Sequence, residues 1–100
     1  MRRFVLSKEA RRDLREIKNY IAEDSVASAR RVLAEFRHAF LQLGKTPGMG
    51  HTRQDLTKRP VLFWPVRSYL IIYRPEVRPL EIVAVLHGKR SLKQILQDRL

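Results

Sequence analysis

The stretch from Arg59 to Arg90, RPVLFWPVRSYLIIYRPEVRPLEIVAVLHGKR, decides how the rest of the chain must fold. It holds three apolar runs, Val61–Trp64, Tyr69–Arg74 and Leu80–His87, built from the β-branched and aromatic residues that suit strands. Pro65 and Ser68 stand at the first break, and Pro75 and Pro79 in the second. Both stop a strand or turn the chain. Connections this short join antiparallel neighbours, because a parallel return needs a crossover of about a dozen residues. The last run ends in the polar cluster His87-Gly88-Lys89-Arg90. In the middle run Tyr69, Ile71 and Tyr73 share one face, and Leu70, Ile72 and Arg74 the other. In the last, Leu80, Ile82, Ala84 and Leu86 oppose Glu81, Val83, Val85 and His87. Apolar residues on both faces predict a sheet with one face under helices and the other needing a cover, from the C-terminal tail or a partner.

Upstream, Arg2 to Leu6 reads as a short strand, with Phe4 and Leu6 on one face. Ser7 offers an N-cap, and Glu9 suits the positive end of the adjoining helix. Ala10, Leu14, Ile17 and Ile21 then mark one helical face; Arg11, Arg12, Arg15 and Lys18, with Asp13 and Glu16 among them, are assigned to the other. Asp24 and Ser25 cap a second helix carrying Val26, Ala29, Leu33, Phe36, Phe40 and Leu43. Gly44 is placed to be its C-cap, and Pro47 forbids continuation. So short a turn makes the pair an antiparallel hairpin. At the other end, Ser91 and Gln94 read as a capping box before the stripe Leu92, Ile95, Leu96 and Leu100. A helix this short is marginal alone and needs a surface to dock on. The expected fold is α+β, in the order β-α-α-β-β-β. Its helical hairpin packs on a small, mostly antiparallel sheet, and a short C-terminal helix completes the chain.

Length and composition bound the function. At 100 residues, 44% of them hydrophobic, residues 1–100 read as one domain with a modest core. No apolar run approaches the ~18 residues of a membrane span, and MRRFVLSKEA lacks a signal-peptide apolar region. The absence of cysteine excludes disulfides, thiolate metal sites and a Cys nucleophile. His38, His51 and His87 show no metal-ligand spacing, so no metal is expected; no cofactor is expected either. The charge stands out: 21 Lys and Arg against 10 Asp and Glu leave +11. Such a field attracts polyanions or an acidic protein segment, and its Arg content favours forked contacts. No helix-turn-helix spacing, zinc ligand set or paired strand aromatics point to a dedicated nucleic-acid reader.

Residues 44–60, GKTPGMGHTRQDLTKRP, read as a loop. GMG lacks the glycine spacing and the Lys-Ser/Thr of a phosphate loop. His51, Arg53 and Asp55 cluster in it, and Asp55 and Thr57 are expected to make local backbone hydrogen bonds.

Several blocks in order then resemble one family: GMGHTRQDLT in the loop, FWPVRSYLIIYRPE in the meander and IVAVLHGKR at the end of the last strand. Together with the element order they are similar to the ParE toxins, a branch of the RelE/ParE superfamily of type II toxin–antitoxin systems. The resemblance covers nearly the whole chain. It implies a cytoplasmic bacterial toxin, held in a hetero-oligomer by a ParD-like antitoxin that itself makes any DNA contact. It also implies DNA gyrase as the target, inhibited without chemistry on the toxin's part.

On that reading the target-binding residues are Arg67, His87, Lys89 and Arg90, and the antitoxin-binding residues Arg11, Arg12, Arg15 and Trp64. Of Phe63 and Trp64, one is expected in the core and the other free for a partner. The alternative is the RelE-like branch, which cuts messenger RNA on the ribosome. Cleavage through the 2′-OH needs an acid, a base and a cation in one place. For that chemistry the sequence nominates His87 as acid or base, Arg67 and Arg90 as phosphate clamps and Tyr73 as a helper. After Arg90 the tail offers only Lys93 and Arg99, with no Tyr or His.

Overall fold

The computed structural model describes residues 3–100. In chain order it contains β1 (Phe4–Leu6), α1 (Lys8–Ala22), α2 (Val26–Lys45), a 3₁₀ turn (Pro47–Met49), β2 (Leu62–Val66), β3 (Tyr69–Arg74), β4 (Leu80–His87) and α3 (Leu92–Arg99). The four strands form one mixed sheet in the order β1-β4-β3-β2, with β1 parallel to β4 and the other two pairs antiparallel. This is the expected α+β fold. The expectation for Arg2 lies outside the described residues.

The helical hairpin covers one face of the sheet. Ser7 caps α1, its hydroxyl accepting from the Ala10 amide, and Ser25 caps α2 through the Ser28 amide. Phe36, Phe40 and Leu43 of α2 and Ala10 and Ile17 of α1 close over Ile71, Tyr73, Leu80, Ile82 and Val85. Val26 departs from the expected stripe: it stands in the first turn of α2 and is exposed. The opposite face carries a second cluster, Phe63, Ile72, Ala84 and Leu86, covered by Leu92 and Leu96 of α3. The C-terminal tail is therefore the cover that the sequence left open. An unfilled sheet face gives no reason to require a partner.

Other expectations are corrected by local packing. The first meander strand is Leu62–Val66 rather than Val61–Trp64 and runs through Pro65. A proline is tolerated there because β2 is an edge strand, with no outer neighbour that needs its missing N–H. Gly44 does not end α2, which continues to Lys45 with Thr46 as C-cap. It serves close approach instead: a Cβ at Gly44 would stand 2.7 Å from the Arg3 Cβ and the Arg3 carbonyl oxygen. Ser91 flanks α3 without a side-chain capping bond, so docking, not a capping box, holds that helix.

The strict alternation expected of β4 also fails. Ile72 pairs with Ala84 but Tyr73 pairs with Ile82, which leaves Val83 as an extra residue. This is a β-bulge, and it reverses the phase of everything after it. Leu80 and Ile82 face the helices before it; Val85 does so after it, while Ala84 and Leu86 turn to the α3 side.

Candidate functional site

The bulge brings His87 onto the helix side of the sheet, and a cleft of about 690 Å3 opens there between α1 and the ends of β3 and β4. His87, Tyr69, Arg67 and Arg90 line it, with Glu16 and Tyr20 on the α1 wall. Tyr69 meets His87 edge to face at 5.3 Å and Phe36 at 5.5 Å, so the ring behind the imidazole is anchored in the core. Burial raises the Tyr69 pKa, with a smaller contribution from nearby Tyr20.

His87 Nδ1 accepts a hydrogen bond from the Lys89 amide at 3.1 Å. In the neutral ring that bond fixes the tautomer, leaving Nε2 as an N–H donor. His87 therefore presents a donor, not a lone pair. The turn that supplies this bond continues with the Arg90 amide donating to the His87 carbonyl, and it leaves Lys89 and Arg90 exposed.

Arg67 occupies the two-residue turn between β2 and β3 at φ 55, the left-handed region that residues with a Cβ rarely adopt. Its guanidinium forks onto Glu35 of α2, at 2.9 and 2.5 Å. The hydrogen bonds to Arg67 lower the Glu35 pKa, and those to Glu35 raise that of Arg67. Both side chains are about half exposed, so solvent screens the pair. Of the four residues expected to meet the target, Arg67, His87 and Arg90 line one cleft, and Lys89 sits in the turn at its rim.

Tyr73 lies elsewhere. It stands four residues along β3 from Tyr69, the residue paired with His87, and so roughly 13 Å away. It is fully buried; its hydroxyl donates to the Pro47 carbonyl at 2.6 Å and accepts from the Gly50 amide at 2.9 Å. A Cβ at Gly50 would fall 2.6 Å from that oxygen, so the clamp requires glycine. The structure thus does not bring Tyr73 to His87.

The four residues expected to meet an antitoxin do not form one patch. Arg12 and Arg15 are exposed on α1, while Arg11 turns toward β1 beside Arg37. Trp64 is half-buried on β2, the opposite edge strand, stacked on His51 at 6.2 Å. Phe63 is the core member of that pair of aromatics. In the loop, Thr57 makes the expected local bond, accepting from the Arg59 amide. The Asp55 carboxylate instead takes the Arg53 guanidinium at 2.8 and 3.0 Å, which lowers its pKa. Among the described residues no group of three or more His, Cys, Asp or Glu is placed to hold a metal ion.

Sequence reasoning missed the polar pair that fixes the bulge. Asp13 is 5% exposed and accepts from the Val85 amide at 2.9 Å. Arg99, from α3, reaches it with two donors at 2.6 and 3.2 Å, and also approaches the Val83 carbonyl at 3.4 Å. Ser7 Oγ donates to the same carbonyl at 3.3 Å. The signal for Asp13 was present: it sits three residues after Ala10 and four before Ile17, in phase with the buried stripe of α1. Arg99 carries no comparable signal.

The family model of the ParE toxin of type II toxin–antitoxin systems, parDE, matches residues 4–92. The chain belongs to the ParE toxin family. The match runs from the first residue of β1 to the first of α3 and includes every residue nominated above for target or antitoxin, as well as Asp13. Arg99, the other half of the clasp in this ParE-family toxin, lies beyond it. No curated protein matches the chain closely enough to count as a relative. Among the described residues no helix is long and apolar enough to cross a membrane.

Proposed function

We propose that this protein inhibits DNA gyrase, acts in the cytoplasm and is neutralised in a hetero-oligomer with a ParD-like antitoxin. The observation that carries the reading is the family match over residues 4–92. The inhibitor does no chemistry of its own: it binds a state of the enzyme and shifts its equilibrium, which needs differential contact and no acid or base. The Lys89 amide on His87 Nδ1 supports the part of this that concerns a base, since the neutral ring then offers the cleft an N–H at Nε2 and no lone pair. The effector surface is the rim at the end of the sheet, Arg67, His87, Lys89 and Arg90, whose exposed cations suit acidic or phosphate groups. Any DNA contact of the complex runs through the antitoxin.

A second reading rests on one observation, the convergence of His87, Arg67 and Arg90 on a single cleft. It is ribosome-dependent cleavage of messenger RNA, with Tyr73 excluded as a helper by its burial. One pair of assays separates the two. In a purified supercoiling reaction the wild type is expected to inhibit gyrase and leave linearised DNA on denaturation. Lys89→Glu with Arg90→Glu should abolish this while the protein stays folded. Untouched supercoiling at micromolar excess would remove gyrase as the target. Messenger RNA cleavage in a translating extract, lost in His87→Ala, would establish the second reading.

A further inference from the structure

The loop before β2 and the last helix together wall a basic groove. Leu56 and Val61 pack into the cluster beneath α3, so both ends of the segment between them are anchored. Within it the Leu56 and Thr57 amides donate to the Arg53 carbonyl at 2.9 and 3.0 Å. The Arg59 amide donates to Thr57 Oγ1 at 3.1 Å, and the Val61 amide to the Arg59 carbonyl at 2.8 Å. Lys58 and Arg59 therefore stand on a hydrogen-bonded turn with docked ends.

Between this turn and α3 runs an open groove of about 320 Å3, with Lys58, Arg59 and Lys93 on its walls. All three are exposed, and none forms an ion pair among the described residues. None of the ten Asp and Glu residues lines the groove. Asp98 shares α3 with Lys93 but stands about 140° round the helix from it. Asp55 lies within the field of Lys93, yet both its oxygens already accept from Arg53, which does most to lower its pKa. An adjoining hollow lined by Ser91, Lys93 and Gln94 leads toward Arg90, so the cations continue to the rim of the effector surface. No aromatic ring lines the groove or the hollow. The apolar floor is largely covered: Leu96 is 1% exposed, and Leu56 and Leu100 are half-buried.

We propose that this groove holds the phosphate backbone of double-stranded DNA through Lys58, Arg59 and Lys93, without regard to sequence. Unpaired cations with no acid between them suit phosphates, whose contacts position a duplex and read no bases. A single strand binds by stacking its bases on aromatic rings, and none is offered here. An acidic peptide takes its specificity from apolar pockets or a free strand edge, and this floor is already closed by the chain's own leucines. The contact belongs to the toxin freed of its antitoxin, so it is separate from any that the antitoxin makes. At the target it grips the DNA that the enzyme holds, beside the contact made by Lys89 and Arg90. That placement, unlike the DNA contact itself, rests on the gyrase reading.

Fluorescence anisotropy tests this with the free full-length toxin and two duplexes of unrelated sequence, each of about 30 base pairs, between about 50 and 200 mM salt. Both duplexes should bind equally well. Lys58→Gln, Arg59→Gln and Lys93→Gln together should weaken binding about 10- to 100-fold and flatten the slope of log K against log salt by about 3. Lys58→Gln alone, on the exposed turn, should flatten it by about 1. Circular dichroism and the urea midpoint confirm that the variants stay folded. The control removes the same charge from α2, on the other face of the sheet, as Arg30→Gln, Arg37→Gln and Lys45→Gln, and should change the slope by less than about 1. Equal losses from the two triple variants would overturn the groove in favour of diffuse attraction by the net charge. Tighter binding of a single strand than of the duplex, or of a polyglutamate peptide than of either, would overturn the choice of partner. In the supercoiling reaction the groove variant should need about tenfold more protein for the same inhibition, about one decade for a partial loss of phosphate contacts. A wild type that binds DNA through the groove and leaves gyrase untouched would sink the gyrase reading and support the DNA contact.

Discussion

Replacing Arg99 by methionine keeps most of the apolar stem and removes the guanidinium that pairs with Asp13. The consequence comes from burial. Asp13 is 5% exposed and, among the described residues, its only other partner is the Val85 amide, so the variant leaves a carboxylate in the interior with one hydrogen bond from them. Breaking a buried pair from one side costs about 3–5 kcal/mol. The Val85 bond offsets part of that, and Arg99 is itself partly exposed, so about 2–3 kcal/mol is expected here. For a domain of this size that is a fall in Tm of roughly 10–20 °C. Adding Asp13→Asn removes the buried charge while its carbonyl oxygen still accepts from Val85. The double variant should therefore recover to within about 1 kcal/mol of wild type, a coupling that a double-mutant cycle isolates. Urea unfolding followed by the single Trp64 gives the midpoint and slope for all four proteins. A cost below about 0.5 kcal/mol for Arg99→Met, or simple additivity in the cycle, would refute the claim that this pair clasps α3 to α1 across the bulge.

Leu96, 1% exposed in the cluster under α3, should cost about 2–4 kcal/mol as Leu96→Ala, and the variant should bind a hydrophobic dye as the far face opens. Urea unfolding and dye fluorescence check it; an unchanged midpoint would mean that α3 is not the cover of that face. Tyr73→Phe leaves the Gly50 amide and Pro47 carbonyl without their partner and should cost about 1–3 kcal/mol. Burial raises the Tyr73 pKa above 10.0, so its protonated form is favoured by folding. That stability is complete below the unfolded value and is lost as pH rises past it toward the folded one. Wild type should thus lose stability above about pH 10 more steeply than Tyr73→Phe. Parallel profiles for the two proteins would count against the clamp.

Much of the fold was legible because it rests on local rules. The helical periods of α1 and α2, their Ser caps and the proline-punctuated meander each depend on residues close in sequence, and the family blocks GMGHTRQDLT and IVAVLHGKR are contiguous. The errors lie where a distant segment decides. Gly44 reads as a helix stop until Arg3 is seen to press against it. Trp64 and Arg11 read as parts of one surface until the strand order sets them at opposite edges. Asp13 reads as one more charge on a basic helix until Val85 and Arg99 converge on it.

The sequence by itself determined the element types, the apolar stripes, the excess of positive charge and the membership of the family. These depend on composition, on contiguous blocks and on periods of two and 3.6 residues, all of which lie in the order of the residues alone. The tertiary structure alone decided where the bulge falls in β4. A strand of continuous apolar residues has no marked face, so nothing local says that Val83 is the extra one. That choice is made by groups far away in sequence, Ser7, Asp13 and Arg99, which supply the hydrogen bonds the bulged backbone lacks. By shifting the phase of residues 84–87, the bulge sets His87 beside Tyr69 in the cleft, because side chains on a strand alternate and one added residue exchanges the two faces.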